Sequence, residues 1–294
     1  MIKNVFKIVF SFFTAIFFIT TTTAQEVHEP KIDSDWVKPY PPFRIAGNLY
    51  YVGTYDLGCY LITTKKGNIL INTGTAASET LIKNSIKELG LKFKDIKIVL
   101  VMHAHFDHVG ALADIKQQTG AKIFADAADK DVLESGGKTD YEMGKYGVTF
   151  KPVKPDRLLH DGDVIKLDNI QITMLHDPGH TKGSCSYLFT IKDSSRSYRV
   201  LIANMPTIII DRRFADVTAY PTIQQDYAYT LHAMRNIQFD IWLAAHASQF
   251  NLQEKHAPGS VYNPSAFIDQ KGYDDELNDL QKKFDEKVKK DAEQ

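Results

Sequence analysis

Residues 103–108 read His-Ala-His-Phe-Asp-His, which places three imidazoles and a carboxylate within six positions. The run directly follows the apolar stretch Ile96 to Met102 and leads into a segment with helical spacing. A buried strand ending in a tight turn aims all four groups at one point. Imidazole nitrogen and carboxylate oxygen are donors that borderline-soft zinc takes. A turn that is histidine-rich by chance is the competing reading, but Asp and His seldom collect at this density beside a buried strand. His180, in Asp177-Pro178-Gly179-His180-Thr181, follows the run Ile170 to Leu175, and His246 follows Ile241 to Ala245. Either alone reads as a structural turn histidine; with the first cluster present, they predict three strand ends meeting at one rim. The candidate metal ligands are therefore His103, His105, Asp107, His108, His180 and His246. His28, His160, His176, His232 and His256 read as structural or surface residues. His176, four residues before His180 in an extended segment, is expected to point elsewhere.

From Phe43 onward, short strand-like runs alternate with amphipathic helical stretches, the pattern of an α/β sandwich. The expected strands are Asn68 to Asn72, Ile96 to Met102, Lys122 to Ala125, Ile170 to Leu175, Ser186 to Ile191, Arg199 to Ala203 and Ile241 to Ala244. The spacing predicts a helix over Ser78 to Leu89, with Ser78 as N-cap, Leu81, Ile82 and Leu89 on one face and Gly90 as its stop. A second helix is expected from near Asp107 to just before Gly120, and a third over about Gln224 to Ile237. A fourth, with Leu277, Leu280, Phe284 and Val288 on one stripe, closes the chain. Neither a linker nor an internal repeat interrupts the region from Phe43 to the end, so a single domain is expected. Glu134 to Arg157 has no clear period, and long irregular segments of this kind often cover a site.

The first residues behave differently. Lys3 and Lys7 stand in a start without acids, Ile8 to Ile19 is almost wholly apolar, and a Thr run ends at Ala24. That is the pattern of a secretory signal peptide over residues 1–24, leaving 25–294 as the mature domain in the periplasm. The apolar run is shorter than the roughly 20 residues a membrane span needs, so no membrane association is expected after cleavage. Cleavage would move the formal charge from −1 to −3, too mild and mixed for a nucleic-acid or anionic-membrane partner. A small molecule is the expected partner, with a monomer favoured. Only Cys59 and Cys185 are present, each in an apolar run, and two buried free thiols are expected.

The pattern His103-x-His105-x-Asp107-His108, followed by Pro178-Gly179-His180-Thr181-x-Gly183-Ser184 and a late His246, resembles the metallo-β-lactamase superfamily. That resemblance implies an αββα sandwich with a dinuclear metal site. Glyoxalase II enzymes, lactonases, phosphodiesterases and nucleases share the motif but usually add a metal-bridging carboxylate after a later strand, where another zinc β-lactamase subclass places Cys. Here the corresponding stretch is Leu201-Ile202-Ala203-Asn204-Met205-Pro206-Thr207. Five His and one Asp without such a bridge resemble subclass B3 metallo-β-lactamases, and Phe43 to Tyr51 with Asn204-Met205-Pro206 is most similar to the GOB branch. Members of that branch carry Gln at the position of His103, so His103 restores the usual three-histidine site. Met205 stands where many B3 enzymes have a Ser that helps hold a water.

The resemblance implies two zinc ions, one held by His103, His105 and His180, the other by Asp107, His108 and His246. It also implies hydrolysis of the β-lactam amide of penicillins, cephalosporins and carbapenems by water that zinc brings to a pKa of about 7. Asp107 would orient that nucleophile and Tyr220 would assist at the oxyanion, although Tyr220 also reads as a packing aromatic beside Pro221. Thr207 or Ser184 would meet the drug's carboxylate, and Tyr141, Tyr146 or Phe150 would cover its side groups. Such an activity confers antibiotic resistance. The alternatives are a hydrolase of another ester or lactone, such as an acyl-homoserine lactone, and a non-catalytic metal-binding protein.

Overall fold

Apolar residues on both faces of the central strands decide the layering. Along residues 98–102, Ile98, Leu100 and Met102 enter one hydrophobic cluster while Val99 and Val101 enter a second on the opposite side. A strand buried on both faces reads as a continuous apolar run and needs a layer on each side. The computed structural model describes residues 27–194 and 196–293; the expected signal peptide, residues 1–24, lies outside the described residues.

The first sheet runs, in spatial order, β1 (Phe43–Ala46), β2 (Leu49–Tyr51), β3 (Tyr60–Thr64), β4 (Gly67–Ile71), β5 (Ile96–Leu100), β6 (Lys122–Asp126) and β7 (Arg157–Leu159). Its first four strands pair antiparallel and the last four parallel. The second sheet holds β8 (Val164–Leu167), β9 (Ile170–His176), β10 (Cys185–Lys192), β11 (Ser197–Ala203) and β12 (Ile241–Ala244). All neighbours there are antiparallel except β12, which runs parallel to β11. The α-helices are α1 (Ser34–Val37), α2 (Ser78–Glu88), α3 (Phe106–Val109), α4 (Leu112–Thr119), α5 (Lys130–Ser135), α6 (Ile223–Met234), α7 (Leu252–Lys255) and α8 (Gln270–Ala292).

The inner faces of the two sheets meet through Ile62, Ile69, Ile71 and Leu100 on one side and Ile172, Met174, Tyr187 and Phe189 on the other. Ile82 and Ile86 of α2 with Leu112 and Ile115 of α4 cover the outer face of the first sheet over Leu61, Leu70 and Val99. On the second sheet, Leu231 and Met234 of α6 and Tyr273, Leu277, Leu280 and Phe284 of α8 do the same, with the Tyr273 ring edge-on to Trp242 at 5.3 Å. The result is the expected αββα sandwich. Cys59 and Cys185 are both buried and free, as expected. Among the described residues, no helix is long and apolar enough to cross a membrane.

Local differences from expectation have local causes. The stretch from Asp107 to Gly120 is two helices, broken where Gly110 passes so near residues 75–76 that a Cβ would lie 2.4 Å from the Ala76 nitrogen. Ala77, not Ser78, is the N-cap of α2, and its methyl side chain offers no capping bond; Ser78 lies one residue inside the helix, its hydroxyl facing Thr75 at 3.3 Å. β1, β2, β3, β7 and β8, each of three to five residues, are too short to show a period. Glu134 to Arg157 begins with the end of α5 and contains a 3-10 turn, Met143–Tyr146.

α4 ends on Gly120, which takes a left-handed conformation with φ 70° and donates its N–H to Lys116. An added Cβ there would meet nothing within 4 Å, so strain in the backbone is the whole penalty. Gly120→Ala is expected to lower unfolding stability by about 1 kcal/mol, measured by urea denaturation, without altering the rim chemistry.

Candidate metal centre

β4 and β5 run parallel, as do β11 and β12, so each pair delivers its C-terminal ends to the same rim. Asn72 follows β4, His103 and His105 follow β5, Asn204 follows β11 and His246 follows β12. α3 begins directly after His105 and carries Asp107 and His108. His180 arrives on the turn after β9, whose Gly179 has φ 134° and a position where a Cβ would lie 2.8 Å from the Tyr227 ring. The two sheets are joined here by backbone: Cys185 N–H donates to Met102 O, and Gly58 N–H to Ala245 O, each at 2.8 Å.

The ligand-bearing atoms converge. His103, His105 and His180 each offer a nitrogen within 4.8 Å of the others, and His103, Asp107 and His108 do so with their own ligand atoms. His105 Nδ1 stands 3.1 Å from His180 Nε2, and Asp107 Oδ2 lies 3.1 Å from His108 Nε2 and 3.5 Å from His246 Nε2. His103 packs against His108 with ring centroids 4.1 Å apart, bringing the two groups side by side. The Nε2 atom of His103 is buried without a hydrogen-bond partner, and that of His108 has only the Asp107 carboxylate beside it. Proteins rarely leave buried polar atoms in that state, and a shared cation satisfies them; the residues fit a metal.

Most rings are held from behind. His103 Nδ1 faces Asn204 Oδ1 at 3.0 Å, His180 Nδ1 faces the Thr207 carbonyl at 2.8 Å, and His246 Nδ1 faces Asp56 Oδ2 at 3.0 Å. His105 turns Nε2 to Asp140 Oδ2 at 3.4 Å, which leaves Nδ1 for the cluster. The Asn72 amide stands 3.2 Å from His108 Nδ1 and accepts from Met102 N–H. Asn72 holds φ 60°, a left-handed conformation that Asn tolerates better than most residues. Such outer contacts fix ring orientation and tune ligand basicity.

Electrostatics favour ligation at three of the five rings. Burial, reinforced by the neighbouring imidazoles, pushes His103 well below its ordinary range. Burial and then His105 bring His180 down to about 3. Burial also lowers His108, against the pull of Asp107. These rings are neutral at pH 7, with a lone pair to give. Burial opposes ionisation of Asp107, but His108 and His246 hold its carboxyl well below the usual range. His105 and His246 go the other way: burial acts downward on both, but Asp140 lifts His105, and Asp107 and Asp56 together lift His246 to about 9.

Asp56, Asn72, Asp140 and Asn204 escaped the sequence reading. Asn72 and Asn204 follow strand-like runs as the histidines do, a usable signal; Asp56 and Asp140 lie in aperiodic stretches with none. Thr207 is partly exposed, and its hydroxyl also reaches His180 Nδ1 at 3.1 Å. Ser184 is fully buried, its hydroxyl accepting from Thr181 N–H and paired with the Thr181 hydroxyl, each at 2.9 Å. Tyr220 is buried, its ring edge-on to Tyr141 and its hydroxyl 3.5 Å from the Thr181 carbonyl. Tyr141 is buried and donates to the His180 carbonyl at 2.9 Å, and Phe150 is buried in the second hydrophobic cluster. Of the three aromatics expected to cover a ligand, only Tyr146 is exposed. His176 turns to Asp126 at 2.7 Å, away from the cluster as expected.

Comparison with known proteins supplies the family. Residues 59–192 match the metallo-beta-lactamase superfamily. The crystal structure of the metallo-beta-lactamase GOB-18 from Elizabethkingia meningoseptica is 61% identical, covering 92% of this chain and all of that one with a TM-score of 0.90. The chain belongs to the metallo-β-lactamase superfamily. A second superfamily structure, the class B3 di-zinc metallo-beta-lactamase LRA-12 from an Alaskan soil metagenome, is 59% identical over 89% of this chain and all of its own, with a TM-score of 0.88. Among curated relatives, hydroxyacylglutathione hydrolase GloC of Haemophilus influenzae is 32% identical over 139 residues, 47% of this chain and 63% of that protein. The chain thus spans less than two thirds of the length of the curated relatives it matches first.

Asp56 tests the outer contacts. Its carboxylate also accepts from Trp36 Nε1 and Ser248 N–H, so it is fixed independently of His246. Asp56→Ala is expected to weaken metal binding on the His246 side of the cluster by about 10–100-fold, read by zinc competition with a chromophoric chelator. Unchanged affinity would show that His246 is held without it.

Proposed function

We propose that this chain is a class B3 zinc β-lactamase, with two zinc ions, that hydrolyses the amide of penicillins, cephalosporins and carbapenems. The observation that carries the reading is the likeness over the full length of GOB-18 combined with a convergent set of five imidazoles and one carboxylate. At the end of β11, where related hydrolases present a bridging carboxylate, Asn204 instead turns its oxygen to His103. In this reading His103, His105 and His180 hold one ion, and Asp107, His108 and His246 the other. Residues 1–24 direct export to the periplasm, where the monomeric enzyme confers resistance.

When bound, zinc supplies Lewis acidity, polarising a carbonyl and bringing the pKa of water from about 16 to about 7. The chain's own residues do the rest. Asp107, ionised across the neutral range, accepts a hydrogen bond from the attacking water and orients it. Thr207, partly exposed at the rim, is the hydroxyl we assign to the drug's carboxylate; Ser184, fully buried, is not. Burial and Asp226 hold the Tyr220 phenol above its ordinary range, so it keeps its proton. Its bond to Thr181 is at the weak limit of length, and we assign it to donation toward the developing oxyanion. Tyr146, exposed on the turn after α5, is the aromatic we assign to the drug's side groups.

Two outcomes follow. Hydrolysis of a cephalosporin and a carbapenem is expected to vanish on chelation, return with added zinc and ignore serine-directed inhibitors; a lactone assayed beside them should turn over far more slowly. Preferential lactone hydrolysis would favour the ester or lactone reading, and activity in protein shown metal-free by elemental analysis would overturn the zinc chemistry. Asp107→Asn keeps the shape but loses the charge, so kcat should fall on the order of 10²-fold or more with kcat/KM falling alongside. A rise in KM with kcat intact would make Asp107 a binding residue.

A further inference from the structure

The run Thr181-x-Gly183-Ser184 after His180 contains no ligand, yet its residues are spatially specified. Asp129, at the end of the 3-10 turn Ala127–Asp129 that follows β6, is 1% exposed. Its Oδ2 accepts from the Ala104 N–H at 2.8 Å and from the Thr181 hydroxyl at 2.9 Å. Its Oδ1 accepts from the Gly183 N–H at 2.8 Å. Ala104 lies between His103 and His105, and Thr181 and Gly183 follow His180. All three donors therefore belong to the two loops that carry one candidate metal position. At Gly183 a Cβ would stand 2.6 Å from the Asp129 nitrogen and 2.7 Å from its Cγ, so glycine is what lets the loop approach. Ser184 completes the socket by pairing with the Thr181 hydroxyl and accepting its N–H.

We propose that Asp129 is a positioning residue that clasps the His103–His105 loop to the His180 loop and so sets the spacing of these three imidazoles toward one metal ion. The inference rests on reading the cluster as a metal centre. The backbone tie between the same loops, Cys185 N–H to Met102 O, lies outside the ligand-bearing residues and leaves their spacing to side chains. His105 Nδ1 and His180 Nε2 stand 3.1 Å apart, and a ring shift of about half an ångström is enough to degrade a preorganised site. Removing one acceptor leaves a buried donor without a partner, which either loop relieves by moving away. Among the described residues, Asp107, His108 and His246 share no hydrogen bond or ion pair with Asp129 and feel the change less.

The test is zinc affinity of purified full-length protein, resolved into two sites by competition with a chromophoric chelator, alongside melting of the metal-free forms. Asp129→Asn keeps one acceptor oxygen but turns an amide N–H₂ toward at least one of the three donors. It is expected to weaken one site by about 10–100-fold, to leave the other within about threefold, and to move the metal-free melting temperature little. In a His246→Ala background, which weakens the other position, the remaining site should show the full loss. Thr181→Val, with one donor deleted, should weaken the same site less, and Thr181→Ser, which keeps the hydroxyl, should lie nearer the parent than Thr181→Val. Parent-like affinity at both sites in Asp129→Asn overturns the clasp. So does an equal loss at both sites with a fall in the metal-free melting temperature, which would make Asp129 a general structural residue. Should Asp129→Asn not fold, indistinguishable Thr181→Val and Thr181→Ser affinities overturn it as well. A parent that binds no zinc overturns the metal-centre reading itself and the clasp with it.

Discussion

Five imidazoles and one carboxylate crowd one mostly buried rim, with lone-pair atoms as close as 3.1 Å. Left to themselves, such groups would separate and hydrate. Everything around the rim opposes that separation. Parallel strand pairs bring the loops to one edge, backbone bonds lock the sheets together there, and outer oxygens hold four of the rings from behind. The burial that keeps His103, His108 and His180 neutral also makes their lone pairs available, so the cost of desolvation becomes ligand strength once a cation is present.

The parts of this arrangement that announce themselves in sequence are those with density or period. Six residues holding three His and an Asp are visible without any fold, and Ile96 to Met102 before them is apolar enough to mark a buried strand. His180 and His246 become legible through the same placement after a strand-like run. The outer contacts do not. Asp56 and Asp140 are single acids in aperiodic stretches, and their partners lie 190 and 35 residues away in the chain,, respectively, distances that only tertiary structure closes. Asn204 shows the intermediate case. Its position marks the missing bridging acid, while its actual contact with His103 depends on the packing of one sheet against the other.

Secondary structure follows the same division. Long apolar strands and the amphipathic α8 are legible because burial writes a period into them. The short strands β1 to β3 are paired into the sheet by their neighbours, and the break between α3 and α4 arises because the backbone near Ala76 presses on Gly110, a contact no local pattern encodes. Ser78 likewise falls one residue inside α2 rather than at its cap, with its hydroxyl beside Thr75.

The candidate ligands are divided between the two sheets: residues 103–108 extend from the first, and His180 and His246 from the second. An ion shared by both sets would therefore be a cross-link between the halves of the sandwich, placed at one edge like a staple. Its binding free energy adds to the resistance of the folded state against opening. In a zinc-poor compartment the first loss would then be durability as well as chemistry, with proteases gaining access to sheets that part at this rim.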